Sequence, residues 1–218
     1  MKVGILFDLD GTLLNSLEDL RDAVNYALAQ FSCPQRSLEE IRRFVGNGVM
    51  NLLRQALPGK PTDPSLDSFL EVYTKYYAAH NQDKTRPYDG VLDALEEIKK
   101  KYPVAIVSNK HDSAVKTMCR FFFGDIYARG ESGDCLRKPA PDMVHKAMAQ
   151  LQVDACIYVG DSEVDVLTAK NADVPCLSVL WGFRDQACLL EAGAKHFCHA
   201  PNEMEKILSA MVEEYYGK

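Results

Sequence analysis

Val3-Gly4-Ile5-Leu6-Phe7-Asp8-Leu9-Asp10-Gly11-Thr12-Leu13-Leu14 opens the chain with an apolar run that breaks into two carboxylates one residue apart. An unbroken run of Val, Ile, Leu and Phe is what a strand buried on both faces requires. At an extended strand end residues i and i+2 point the same way, so Asp8 and Asp10 share one small volume. Their mutual repulsion needs a cation or a shared proton to relieve it. Taken alone, the stretch has two readings. One is a strand entering a polar Asp-Gly turn; the other is a pair that holds a cation or does chemistry. Residues farther along the chain bear on that choice.

Comparable apolar runs recur at Val104–Val107, Cys156–Val159 and Cys176–Leu180. Between them lie helical patterns, one marked by Val91, Leu92, Leu95 and Ile98 and another by Val144, Ala147, Met148 and Leu151. The first ends in Lys99-Lys100-Lys101, where cations suit the helix C-terminus. The β-α-β order predicts a doubly wound α/β core with a parallel sheet. The stretch from Ser16 to about Asp83 carries three helical patterns and no strand pattern. Ser16 with Asp19 reads as a capping box opening a helix with Leu17, Leu20, Val24 and Leu28 on one side, and Ser37 with Glu40 opens a second. The third carries Phe69, Val72, Tyr73, Tyr76 and Tyr77, a stripe expected in a helix-bundle core. The expected organisation is a core over 1–15 and 84–218, with an inserted helical cap over 16–83 acting as a lid.

With 47% apolar and 26% charged residues among 218, the chain reads as a soluble globular protein. Its formal charge of -6 argues against a nucleic-acid surface and favours a small-molecule partner. A monomer and a homodimer are equally compatible with it. The seven cysteines are odd in number and form no Cys-x-x-Cys pair; they read as reduced thiols of a cytoplasmic protein. The N-terminal apolar run stops at Asp8, short of the roughly 7–15 residues of a signal-peptide core. No segment approaches the about 18 apolar residues of a membrane span. His196 and His199 lack matching partners and read as ordinary residues rather than metal ligands.

Further polar clusters sit just past the predicted strands, where a doubly wound fold places its ligands. Ser108-Asn109-Lys110 follows one strand, and Gly160-Asp161-Ser162-Glu163-Val164-Asp165 follows another. Between them Lys138-Pro139-Ala140-Pro141 sets a lysine just ahead of a helix. Phosphoryl transfer needs such a set, because its loose transition state is stabilised by positioning and electrostatics. An aspartate nucleophile, a neighbouring acid/base, carboxylates around Mg²⁺, and hydroxyl, N–H and lysine donors would supply it.

In this order the clusters resemble the four motifs of haloacid dehalogenase superfamily phosphatases: Asp8-Leu9-Asp10-Gly11-Thr12-Leu13, Ser108-Asn109, Lys138-Pro139, and Gly160-Asp161-Ser162 with Asp165. Within that superfamily the chain is most similar to phosphoglycolate phosphatases with a small helical cap. The resemblance implies that Asp8 attacks phosphorus to form an aspartyl-phosphate and that Asp10 protonates the leaving alcohol and later deprotonates water. It implies a Mg²⁺ site of Asp8, Asp10 through its backbone carbonyl, and Asp161. Asp165 would support the metal through water or orient Lys138. Ser108 and the Asn109 amide would hold phosphoryl oxygens, Lys138 would neutralise charge, and Thr12 would shape the turn beside the substrate.

Arg42-Arg43-Phe44-Val45-Gly46-Asn47-Gly48 resembles the substrate loop of that subgroup. There Arg42, Arg43 or Arg54 would pair with a substrate carboxylate, and Gly46, Asn47 and Gly48 would let backbone amides approach it. Trp181-Gly182-Phe183 is similar to the same subgroup. Ala172-Asp173-Val174-Pro175 departs from it, with Asp173 where relatives have glycine, so Asp173 is expected in a left-handed conformation. A small phosphorylated metabolite is the implied substrate. A phosphosugar mutase of the β-phosphoglucomutase kind, a pyrophosphatase and a non-enzymatic regulatory protein are the alternatives. The second aspartate, Asp10, speaks against a dehalogenase.

Overall fold

β1 (Val3–Phe7) is buried along its whole length in the computed structural model, which describes residues 1–60 and 63–217. Ile5 and Phe7 join one hydrophobic cluster and Leu6 between them joins another. Each side of the strand therefore faces its own apolar layer, which is why the run shows no polar alternation.

The chain divides into two compact units, Met1–Leu14 with Pro87–Lys218, and Asn15–Arg86. The short strands β2 (Leu14–Asn15) and β3 (Arg86–Pro87) form a two-stranded sheet where the chain passes from one to the other. In the first unit β4 (Val104–His111), β5 (Tyr127–Glu131), β6 (Ala155–Gly160), β7 (Cys176–Val179) and β8 (His196–Cys198) join β1 in one sheet. The order is β5-β4-β1-β6-β7-β8, and every pair is parallel.

Helices cover both faces. Val91, Leu95 and Ile98 of α5 (Val91–Lys99), Val115 and Met118 of α6 (Asp112–Phe123), and Met204, Leu208 and Met211 of α10 (Met204–Tyr216) pack in the layer of Ile5 and Phe7. Met143, Val144 and Ala147 of α7 (Asp142–Leu151) and Ala169 of α8 (Glu163–Asn171) pack in the layer of Leu6. A short helix, α9 (Gln186–Glu191), adds Leu189 to a satellite cluster with Val166 and Ala194. The chain builds outward from β1 through β4 to β5, then returns to β1's other side for β6. That reversal opens a crevice at the carboxyl ends of the central strands.

Besides the two-residue strands β2 and β3, two strands of the main sheet lie outside the sequence expectation, β5 and β8. Both are sheet edges, and β5, Tyr127-Ala128-Arg129-Gly130-Glu131, buries only alternate residues. An edge strand half open to water has no need of an apolar run. The left-handed conformation expected of Asp173 is present, with φ 55°.

Among its described residues the second unit holds four helices: α1 (Leu17–Gln30), α2 (Leu38–Phe44), α3 (Val49–Ala56) and α4 (Leu66–His80). Its buried side chains include Val24, Leu28, Ile41, Leu53 and Phe69. The Ser37 capping box forms: its hydroxyl accepts from the Glu40 N–H at 3.2 Å, and Glu40 accepts from the Ser37 N–H at 2.8 Å. The box expected at Ser16 does not form, since Ser16 makes no side-chain capping bond. Asp19 instead accepts from the Lys84 N–H at 3.0 Å, the Thr85 N–H at 2.8 Å and the Thr85 hydroxyl at 2.7 Å. A carboxylate offered three donors by a distant segment serves them in preference to its own helix end.

Helix α3 is an addition to the three helices expected. It starts at Gly48 with φ 78° and no capping side chain, so no start signal is written in the sequence. Phe69, Tyr73 and Tyr77 of α4 are buried as the stripe predicted, while Tyr76 stacks on Tyr26 with centroids 4.1 Å apart. Among the described residues no helix is long and apolar enough to cross a membrane. All seven cysteines are free, and burial pushes the thiols of Cys119, Cys156 and Cys176 up to about 12.

Candidate active site

Sheet register assembles the site. Phe7 pairs with Ile106 of β4 and with Val159 of β6, so Asp8 emerges between the ends of both neighbours. The Asp8 N–H still donates to the Val159 carbonyl at 2.8 Å. Asp10 follows at the start of a tight turn in which the Gly11 N–H reaches the Leu14 carbonyl at 2.8 Å. Gly11 takes φ 90°, and a Cβ there would sit 2.2 Å from an Asp161 carboxylate oxygen. Both the backbone conformation and the neighbouring carboxylate therefore demand glycine.

Lys138, on the loop between β5 and α7, is 2% exposed. Its ammonium lies 2.8 Å from Asp8 Oδ1, 2.8 Å from Asp165 Oδ1 and 3.0 Å from the Tyr158 hydroxyl. Three donors meet three acceptors, which is the full capacity of an ammonium. Asn109 holds the backbone of the same residue: its amide donates to the Lys138 carbonyl at 2.9 Å, and its Oδ1 accepts from the Lys138 N–H at 2.8 Å. The second cluster thus fixes the third. Ser108, also buried, accepts from the Lys110 N–H at 3.2 Å.

Asp165 sits in the first turn of α8 and is fully buried. Its Oδ2 accepts from the Asp161 N–H at 3.2 Å, the Ser162 N–H at 3.1 Å and the Ser162 hydroxyl at 2.6 Å. With Oδ1 on Lys138, Asp165 ties the loop after β6 to the lysine. Asp161 receives the Thr12 hydroxyl on Oδ1 at 3.1 Å and the Phe183 N–H on Oδ2 at 2.7 Å. Thr12 is wholly buried, and its hydroxyl is directed at Asp161.

The electrostatics show a site rich in negative charge. Burial pushes the Asp8 carboxyl up to about 7, against the pull of Lys138 and with help from Asp165 and Asp10. Burial, Asp165 and Asp8 together hold Asp161 well above the usual carboxylate range, although the Phe183 N–H and Thr12 hydroxyl favour its ionised form. Burial opposes the Lys138 ammonium, yet Asp165 and Asp8 outweigh it and keep the lysine firmly charged. Asp10 pairs with Lys110 at 2.7 Å, both side chains being nearly buried.

Asp8, Asp161 and Asp165 each offer a buried carboxylate oxygen within 4.8 Å of the others. Hard oxygen donors with excess negative charge fit a small divalent cation such as Mg²⁺. The core residues singled out in the sequence, Asp8, Asp10, Thr12, Ser108, Asn109, Lys138, Asp161 and Asp165, thus converge in the first unit. Arg42, Gly46, Asn47 and Gly48 belong to the second unit: Arg42 lies on α2, and Gly46 and Gly48, with φ 124° and 78°, lie in the turn before α3.

The roles of three groups are not legible in the sequence. Tyr158 looks like one more apolar strand residue, yet its hydroxyl accepts from Lys138 and donates to the Val107 carbonyl at 3.1 Å. Lys110 stands beside Ser108-Asn109 but finds Asp10 through the fold. The Phe183 N–H is a backbone donor, which no residue letter announces.

Comparison with known proteins places this arrangement. Residues 5–179 match the haloacid dehalogenase-like hydrolase family. A phosphoglycolate phosphatase of Cereibacter sphaeroides is 36% identical over 188 residues, covering 83% of this chain and 86% of that protein. Phosphoglycolate phosphatase 1 of Pseudomonas aeruginosa is 33% identical over 82% of this chain and 70% of its own. Among solved structures, a candidate phosphoglycolate phosphatase from Lactobacillus delbrueckii subsp. bulgaricus superposes with a TM-score of 0.86 at 32% identity, covering 94% of this chain and 97% of that one.

Proposed function

From its place among the haloacid dehalogenase-like hydrolases, the family to which the chain belongs, we propose that it is a Mg²⁺-dependent phosphatase of small phosphate monoesters acting through an aspartyl-phosphate on Asp8. The observation that carries this reading is the buried Asp8 carboxylate held at Oδ1 by Lys138, 2.8 Å away, at the mouth of the central strands.

With Oδ1 anchored, the other oxygen of Asp8 attacks phosphorus, and the ester oxygen leaves with a proton from Asp10. Water then attacks the phosphorus, Asp10 takes its proton, and the Asp8 carboxylate is restored as phosphate departs. Lys138 balances charge on Asp8 and on the phosphoryl group throughout. The Ser108 hydroxyl and the Asn109 backbone amide hold phosphoryl oxygens. Asp8, Asp161 and the Asp10 carbonyl would hold Mg²⁺, with Asp165 in support. Bound there, the cation would neutralise charge on the phosphoryl oxygens.

The substrate in this reading is phosphoglycolate or a monoester of like size and charge, as the names of the relatives imply. The second unit would act as the selecting lid, with Arg42, Arg43 or Arg54 pairing with the substrate's carboxylate and Gly46, Asn47 and Gly48 admitting close backbone contact. Seven free cysteines fit a reducing cytoplasm.

The test is phosphate release from phosphoglycolate, sugar phosphates, nucleotides and pyrophosphate, with Mg²⁺ and with EDTA. Release from phosphoglycolate that chelation or Asp8→Asn abolishes is the expected result. Isomerised sugar phosphate without free phosphate would identify a mutase instead, and release that survives Asp8→Asn would overturn the mechanism.

A further inference from the structure

Past β7 the chain forms another strand-end loop, Trp181-Gly182-Phe183-Arg184, which meets the site at three points. The Phe183 N–H donates to Asp161 Oδ2 at 2.7 Å. The Trp181 indole N–H donates to the Thr12 carbonyl at 3.0 Å. Gly182 lies so close that a Cβ would stand 2.3 Å from the Asp161 Cβ and 2.5 Å from the Gly11 carbonyl. The loop's far end is pinned as well, since Arg184 Nε pairs with Glu163 of α8 at 2.8 Å.

These contacts close a ring. Thr12 gives its hydroxyl to Asp161 Oδ1, Phe183 gives its amide to Oδ2, and Trp181 holds Thr12 by its carbonyl. One donor on each oxygen fixes the plane of a carboxylate and leaves each oxygen a further lone pair. A ligand carboxylate held by hydrogen bonds in this way is oriented before its cation arrives, and loss of such a partner weakens metal affinity. We propose that Trp181-Gly182-Phe183 is the positioning element that sets the Asp161 carboxylate, and with it the affinity of the site for a divalent cation. Trp181 is a positioning residue that acts through Thr12. The inference rests on the proposed phosphatase reading, in which Asp161 is a metal ligand.

Trp181→Phe keeps an aromatic ring against the core and removes the N–H together with the pyrrole part of the indole. Its effect is read as Mn²⁺ binding to EDTA-stripped full-length protein, followed by the electron paramagnetic resonance signal of free Mn²⁺. The expected result is about tenfold weaker binding than wild type, at a temperature where both proteins are fully folded. Equal affinity would overturn the inference. A wild-type protein that binds no Mn²⁺ would overturn the metal-dependent reading itself, so the two failures are distinct.

Trp181 is the chain's single tryptophan, which gives a second readout that needs no loop variant. Titration of wild type with Mg²⁺ should change its emission saturably, and Asp161→Asn should abolish that change. Emission that stays constant while Mg²⁺ saturates the site would equally overturn the inference.

Discussion

Replacing Lys138 by methionine removes the ammonium from a buried network. The lysine is 2% exposed and spends its three protons on Asp8, Asp165 and Tyr158 at 2.8, 2.8 and 3.0 Å. Methionine approximates the stem but leaves two buried carboxylates facing each other, with Asp161 beside them. Breaking a buried pair by deleting one partner costs about 3–5 kcal/mol. Proton uptake limits that cost, because the Asp8 carboxyl is already pushed up to about 7 and loses the group that holds it down. The loss should therefore be large at pH 7.5 and markedly smaller at pH 5. Urea unfolding followed by circular dichroism, in EDTA at both pH values, measures it. Adding Asp165→Asn should recover part of the loss, since the two residues act as a pair. A Lys138→Met variant within about 1 kcal/mol of wild type at pH 7.5, or equally destabilised at both pH values, would refute this account of the network.

Three further perturbations have defined outcomes, two in this site and one in the second unit. Tyr158→Phe keeps the ring but strips one acceptor from Lys138 and one donor from the Val107 carbonyl; urea unfolding should register a loss of about 1–3 kcal/mol, and a neutral variant would contradict the contact. Metal-free protein should lose stability as pH rises from about 4 to about 7, as calorimetry can follow. Asp8 and Asp161 hold their protons more tightly folded than unfolded, so deprotonation favours unfolding; Mg²⁺ should flatten this slope, and a rise in stability would contradict it. Asp19→Ala removes the acceptor of three donors from Lys84 and Thr85, and limited proteolysis should then cleave near residues 81–86 faster than in wild type, an unchanged rate showing that the contact holds nothing.

What the sequence reveals depends on where each element sits. The central strands β1, β4, β6 and β7 are buried on both faces and announce themselves as apolar runs. The edge strands β5 and β8 are under no such demand and are silent. In the second unit, Ser37-Leu38-Glu39-Glu40 signals its helix because the capping partners are three residues apart. Asp19 spends the same chemistry on Thr85, far along the chain, where no local pattern can reveal it. The site divides in the same way. Asp8, Asp10, Ser108, Lys138, Asp161 and Asp165 carry functional groups in their letters, four of them at strand ends, Lys138 just ahead of α7 and Asp165 in the first turn of α8. Tyr158 hides in an apolar run, Lys110 depends on a fold-made encounter, and Phe183 contributes a backbone N–H that any residue would possess. The pairing of Asn109 with the Lys138 backbone shows why the clusters occur together: one supports the next.

The central claim is that Asp8 is the group that accepts the phosphoryl group. Enzyme turning over phosphoglycolate with Mg²⁺ can be acid-quenched, treated with borohydride to reduce an acyl phosphate, and digested for peptide mass spectrometry. The account predicts conversion of Asp8 alone to homoserine, dependent on substrate and lost in Asp8→Asn. Rapid phosphate release with Asp8 unmodified at every quench time, or modification at another carboxylate, would contradict it.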